Sequence, residues 1–171
     1  AFVFFVNKEN SIDNLTLNQI QDIYSGKVTN WKEVGGTDAQ ILAYQRPQNS
    51  GSQSGMLSLV MQGIKMKEPE KETVAQSMVD IVDVVSDYQN KENAIGYSYY
   101  YYITTMYSKD KIKLLSVNGI EPTYDNIKTG LYNIQTAYYA LIRKDEPENS
   151  NARKLLNAMI STYGQKVAKE A

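Results

Sequence analysis

The chain opens on an unbroken apolar run, Ala1 to Val6, rich in phenylalanine and valine. A short strand covered on both faces has this pattern, which predicts an α/β layer arrangement rather than a sheet with one wet face. After the polar stretch Asn7 to Asn14 the period changes. Leu17, Ile20, Ile23 and Tyr24 recur at helical spacing behind Thr16 and Gln19, which stand at capping-box distance, and Gly26 ends the pattern. The prediction is a short amphipathic helix stopping near Ser25.

A loop with Trp31, Gly35 and Gly36 leads to a second buried-strand pattern at Ile41 to Tyr44. The polar segment Arg46 to Gly55 then runs into a helical pattern carried by Met56, Leu59 and Val60. A helix is expected over about 74–88, with Met78, Ile81, Val82 and Val85 inward and a turn at Asn90 to Asn93 behind it. Ala94 to Tyr97, Ile112 to Val117 and Thr136 to Arg143 read as strands, with an Asn118-Gly119 turn between the last two. From a Ser150 cap, Leu155, Leu156, Met159, Ile160 and Tyr163 mark a final helix. No internal repeat, low-complexity tract or interdomain linker interrupts the 171 residues, which read as a single lobe over 1–171.

Charge narrows the functional classes. With 18 basic and 19 acidic residues the formal net charge is -1, without the basic excess on which nucleic-acid and anionic-membrane binders depend. The chain has no histidine and no cysteine, which removes zinc sites built on those ligands, thiol nucleophiles and histidine-dependent triads. No apolar stretch approaches the roughly 20 residues needed to span a bilayer. The start at Ala1, already inside an apolar run, reads as a boundary within a longer protein.

The loop from Arg46 to Ser54 carries the chemistry. Open α/β sheets place ligands where a strand's carboxyl end meets a helix N-terminus, because unpaired N–H groups and the helix dipole there favour an anion. Arg46 offers a permanently charged fork suited to a tetrahedral oxyanion, Ser50 and Ser52 offer hydroxyl donors, and Gly51 permits close backbone approach. A plain helix cap has the same composition, so these residues alone leave both readings open. The phosphate-binding motif of nucleotide hydrolases is absent, since Met56 follows Gly55.

The run Ile23-Tyr24-Ser25-Gly26-Lys27-Val28-Thr29-Asn30-Trp31-Lys32-Glu33-Val34-Gly35-Gly36, followed by Arg46 and Ser50-Gly51-Ser52, resembles the phosphate-binding proteins of bacterial high-affinity phosphate ABC transporters. The resemblance continues through Ala94 to Tyr97 and Val117 to Thr123 and covers nearly all of the chain. It implies a type II periplasmic-binding-protein-like fold: a three-layer αβα lobe with a mixed central sheet, forming the second lobe of a hinge-closing receptor whose first lobe is largely absent. It also implies inorganic phosphate as ligand, an ABC permease as partner, an extracellular or periplasmic location with a lipid anchor, and neither catalysis nor a cofactor or metal. Carried over by position, Arg46 looks like the family's anion-pairing arginine, and Ser50, Gly51 and Ser52 match its Ser-Gly-Thr triplet with serine as the third residue. Gln48 departs from the pattern, because many members place there an aspartate whose charge repels fully ionised sulfate. An amide accepts a hydrogen bond without that repulsion. The departure leaves open a same-fold receptor for another oxyanion or a small organic ligand.

Other features favour packing over chemistry. Tyr99 to Tyr102 distributes its rings around a helix, and Trp31 anchors its loop. Glu68, Glu70, Asp80 and Asp83 belong to charged, solvated stretches rather than to a metal cage or an acid–base pair. Without the first lobe, apolar surface around Phe2 to Phe5 and Leu155 to Ile160 is expected to be uncovered and to favour dimerisation.

Overall fold

The computed structural model describes residues 1–90, 92–106 and 110–170. β1 (Phe2–Asn7) is followed by β2 (Asn14–Leu15), α1 (Leu17–Ser25) and a 3-10 turn over Trp31–Val34. β3 (Leu42–Ala43) leads to α2 (Gly51–Gly55), which continues as a π-helical turn over Met56–Met61. Next come α3 (Met78–Ser86), β4 (Ala94–Tyr99), α4 (Tyr100–Met106), β5 (Ile112–Leu114), β6 (Ser116–Val117) and α5 (Tyr124–Lys128). α6 (Asn151–Ile160) and α7 (Thr162–Glu170) come last. Where the sequence reads one lobe, the contacts divide into two compact units, Ala1–Thr136 and Ala137–Ala171.

The first unit is built on a mixed four-stranded sheet in the order β3-β4-β1-β5. β1 runs antiparallel to both β4 and β5, whereas β3 runs parallel to β4. β2 and β6 pair separately in parallel. Every residue of β1 is buried because helices cover both faces of the sheet. On one face Phe4 and its cross-strand partner Tyr97 meet Tyr24 of α1, at ring-centroid distances of 6.3 and 5.5 Å. On the other, Phe5 lies opposite Gly96, where an added Cβ would stand 2.9 Å from the Phe5 ring and 3.1 Å from Val85 of α3. Gly96 therefore admits both the ring and the helix. The result is the expected three-layer arrangement.

Local signals place the helices. Thr16 and Gln19 form the reciprocal capping box at the start of α1, and Gly26 ends that helix in the left-handed conformation, φ 82°. α3 is shorter than the periodicity implies: Ser77 caps it and Asp80 closes the box, while Val74 is drawn into a parallel bridge with Gln45. In the turn behind it, Lys91 lies outside the described residues.

Four expectations are corrected. Thr136 to Arg143 forms no strand, and Tyr138 and Leu141 within it are 98% and 92% exposed. A β-pattern becomes a strand only where a neighbour extends a ladder along it, and no strand or bridge runs through this segment among the described residues. Ile112 to Val117 is not one strand: Leu115 turns inward between β5 and β6, which join different sheets. The single final helix is two, parted at Ser161, whose hydroxyl bonds back to the Ala158 carbonyl at 2.7 Å. Finally, Phe2 to Phe5 are fully buried in the first unit, whereas Leu155 and Ile160 are exposed as anticipated.

Candidate functional site

β3 and β4 run parallel, so their carboxyl ends share one edge of the sheet. The Tyr44 N–H donates to the Ile95 carbonyl (3.0 Å), and Gln45 exchanges backbone bonds with Thr73 and Ala75, both 2.9 Å. Arg46 leaves the sheet immediately beyond these anchors. Its N–H is held by the Gln53 side-chain carbonyl (3.1 Å) and the Tyr97 hydroxyl (3.0 Å), and that hydroxyl itself donates to the same Gln53 oxygen. The buried Gln53 amide nitrogen reaches Gln45 and the Met66 sulfur. The loop is thereby locked to the sheet by side chains on β4 and α2.

The turn Pro47 to Ser50 closes with a bond from the Ser50 N–H to the Pro47 carbonyl (2.9 Å). Ser50 caps α2, its hydroxyl oxygen accepting the Gln53 N–H at 3.1 Å. That use leaves the hydroxyl proton free to donate. Gly51 is exposed, and a Cβ there would meet nothing of the protein within 4 Å. Gly55 is the opposite case: its Cβ would lie 2.8 Å from the Tyr99 hydroxyl oxygen and 3.0 Å from the Phe2 ring, so only glycine lets the helix start sit this close to the sheet. Ser52 is buried with no partner for its hydroxyl, and Gln48 stands exposed on the turn.

The five residues singled out by the sequence thus fall in one loop, and the electrostatics concentrate on Arg46. This side chain is only 9% exposed, yet its Nε and Nη1 have no hydrogen-bond partner. Burial lowers its pKa, but a guanidinium stays charged regardless. Burial likewise pushes the Tyr97 hydroxyl well above its ordinary range, keeping it neutral. The Asp80 carboxyl, bonded by Ser77 at the start of α3, is held below its ordinary range, and attraction to Arg46 acts in the same direction.

Reading the sequence missed Gln53 and Tyr97, which set the position of the Arg46 backbone. A signal for Gln53 was present, because Ser50 and Gln53 have capping-box spacing. Only half of that box forms, and the glutamine side chain turns to Arg46 and Tyr97 instead. Tyr97 carried no local signal beyond its strand. The remaining candidates behave as packing and solvated charge. Trp31 is fully buried, its indole N–H bonded to the Asn93 carbonyl at 3.1 Å. Glu68, Glu70 and Asp83 are exposed, and no group of three or more acidic side chains suited to a metal ion occurs among the described residues. No helix among them is long and apolar enough to cross a membrane.

Comparison with known proteins places this loop in context. The phosphate-binding protein PstS of Bacillus subtilis is 30% identical over 129 residues, covering 75% of this chain and 40% of that protein. PstS of Borreliella burgdorferi is 28% identical, covering 99% of this chain and 61% of its own length. Among solved structures, a phosphate ABC transporter substrate-binding protein of Clostridium perfringens with bound phosphate aligns at TM-score 0.74 and 30% identity, over 99% of this chain and 65% of that one. An ABC-type phosphate transport receptor of Vibrio cholerae shares the fold at TM-score 0.77 and 23% identity, over 99% of this chain and 66% of that one. The chain therefore spans 40% and 61% of the length of these two curated relatives. Residues 1–164 match the family described as the PBP superfamily domain, and the chain belongs to that family.

Proposed function

We propose that this chain is the oxyanion-binding lobe of an extracytoplasmic receptor that takes up inorganic phosphate and hands it to an ABC permease. The observation that carries the reading is the set of buried, unpartnered donors, Nε and Nη1 of Arg46 and the Ser52 hydroxyl, in one strand-to-helix loop. Leaving such groups unpaired costs about 1–3 kcal/mol each, a cost that protein interiors rarely carry without a functional return. A tetrahedral oxyanion over Gly51 answers it. The Arg46 fork rotates outward to pair with two of its oxygens, the Ser50 and Ser52 hydroxyls donate to others, and the Gln48 side-chain carbonyl on the turn accepts a hydrogen bond from a protonated oxygen. No bond is made or broken.

The relatives named for phosphate binding support this ligand, and their greater length supports a first lobe closing over the loop. In this reading the exposed apolar side chains of Ala137–Ala171 are those that the first lobe covers, Tyr138 and Leu141 among them. A lipid anchor belongs to the same proposal. The neutral, exposed Gln48 favours a second reading in which sulfate competes with phosphate, because no carboxylate on the turn repels a fully ionised anion.

Backbone amide NMR shifts of this chain, titrated separately with phosphate and sulfate, test both. Shifts confined to Gln48 through Ser54 and lost in Arg46→Ala establish the site, and the two dissociation constants rank the ligands. Unmoved amides at millimolar phosphate would sink the reading for this chain.

A further inference from the structure

The Arg46 loop borders more than its own turn. Arg46, Pro47 and Gln48 also form one wall of an open groove of about 790 Å³, whose other walls come from Gln53 and Leu57 on the helix and from residues 63–69. That volume falls within the roughly 300–1,000 Å³ typical of small-molecule sites and far exceeds what one tetrahedral oxyanion fills. Leu57 and Ile64, 43% and 38% exposed, contribute apolar surface, and Lys65 and Lys67 outweigh the single carboxylate of Glu68 in the lining.

The far wall is fixed in place. The Gln45 side-chain amide donates to the Lys67 carbonyl (2.8 Å), the Lys67 N–H to the Tyr24 carbonyl (2.9 Å) and the Ile64 N–H to the Met61 carbonyl (2.8 Å). Gln53 contacts the Met66 sulfur at 3.6 Å, so the side chain that holds the Arg46 backbone also touches this wall. The groove lining therefore combines Arg46, whose Nε and Nη1 are buried without a hydrogen-bond partner, with the apolar Leu57, Ile64 and Met66 and with Lys65, Lys67 and Glu68.

We infer that the site takes a phosphoryl anion carrying an organic substituent, a phosphonate or a phosphate monoester, with the anion on Arg46 and the substituent along Leu57, Ile64 and Met66. The inference rests on the proposed oxyanion site and adds the ligand class. A neutral Gln48 beside Arg46 suits such a ligand, because an esterified or carbon-linked oxyanion has one terminal oxygen fewer to satisfy and the turn itself presents no carboxylate to oppose its charge; the one carboxylate in the groove lining, Glu68, stands between Lys67 and Pro69 on the opposite wall. Lys65 and Lys67 add attraction for a dianion.

The test titrates phosphate, phenylphosphonate and phenyl phosphate into the chain while following backbone amides, in the wild type and in Ile64→Asp. Ile64 is partly exposed, so the variant is expected to fold. The expected result is that the phenyl ligands shift Leu57, Ile64 and Met66 as well as Gln48 through Ser54. Ile64→Asp should weaken them about tenfold, corresponding to about 1.4 kcal/mol, while leaving phosphate nearly unchanged. The relative affinities of the phenyl ligands decide between phosphonate and ester. Phosphate binding with no phenyl-ligand binding, phenyl ligands that leave the groove amides unmoved, or an Ile64→Asp variant that binds them as well as wild type would each overturn the inference while the oxyanion site stands. If no anion moves the loop, both fall together.

Discussion

The two units of this chain use apolar residues in opposite ways. In Ala1–Thr136 the run Phe2 to Val6 is sealed completely between helices, whereas in Ala137–Ala171 Tyr138, Tyr139, Leu141, Leu155, Ile160 and Tyr163 face solvent. Both segments have patterns that ordinarily signal a core. The difference lies within each unit: in the first, β1 has strands on both sides and helices above and below, while in the second α6 and α7 pack on each other. Hydrophobic periodicity reports which face needs cover, and supplying that cover is a property of the whole fold.

The largest effect expected from this contrast is at the centre of the first unit. Phe4→Ala removes a ring packed against Tyr24 and Tyr97 and should cost about 3–5 kcal/mol, read as a lower urea midpoint. A cost below about 1 kcal/mol would mean that the two units differ less in packing than their exposures indicate.

Next in size is the Arg46 loop, where buried donors are left unsatisfied. Phosphate at a hundredfold excess over its dissociation constant should stabilise the wild type by about 2.7 kcal/mol and leave Arg46→Met unaffected. In anion-free buffer the same variant should be as stable as wild type or more so, because it removes buried donors that lack partners. A smaller loss, about 1 kcal/mol, is expected for Ser77→Ala at the cap of α3. Its partner Asp80 gives the pH counterpart. A carboxyl with a lowered folded-state pKa stabilises fully above the ordinary carboxylate range and loses that contribution as pH falls through the lowered value. Asp80→Asn should accordingly flatten the acid limb of the stability curve.

The smallest effect belongs to the second unit. Leu155→Ser should change unfolding by no more than about 0.5 kcal/mol, since the side chain is already in water. A loss of several kcal/mol would show that this face is covered in solution and would break the contrast outright.

What the sequence made legible follows the same division. Thr16 with Gln19, Ser50 before its helix and the Trp31 loop were readable because each is decided by residues only a few positions apart. The strand-to-helix loop was readable for the same reason, down to the positions of Arg46 and Ser52. Hidden from it were features decided at a distance: the inward turn of Leu115, the irregular course of Thr136 to Arg143, and the reach of Tyr97 across 51 positions to the Arg46 N–H. The split at Ser161 lies between. A serine hydroxyl competing for a helix carbonyl is a local event, but the helical period on either side masks it.

The groups gathered around Arg46 also fix what a pH titration can report. The guanidinium does not deprotonate, burial moves Tyr97 further upward, Asp80 is displaced downward, and the chain has no histidine. Across neutral pH the host is electrically silent there. Any bend in affinity between weakly acidic and weakly basic solution then belongs to the guest: sulfate should give a flat profile, and phosphate a curve that traces its own ionisation.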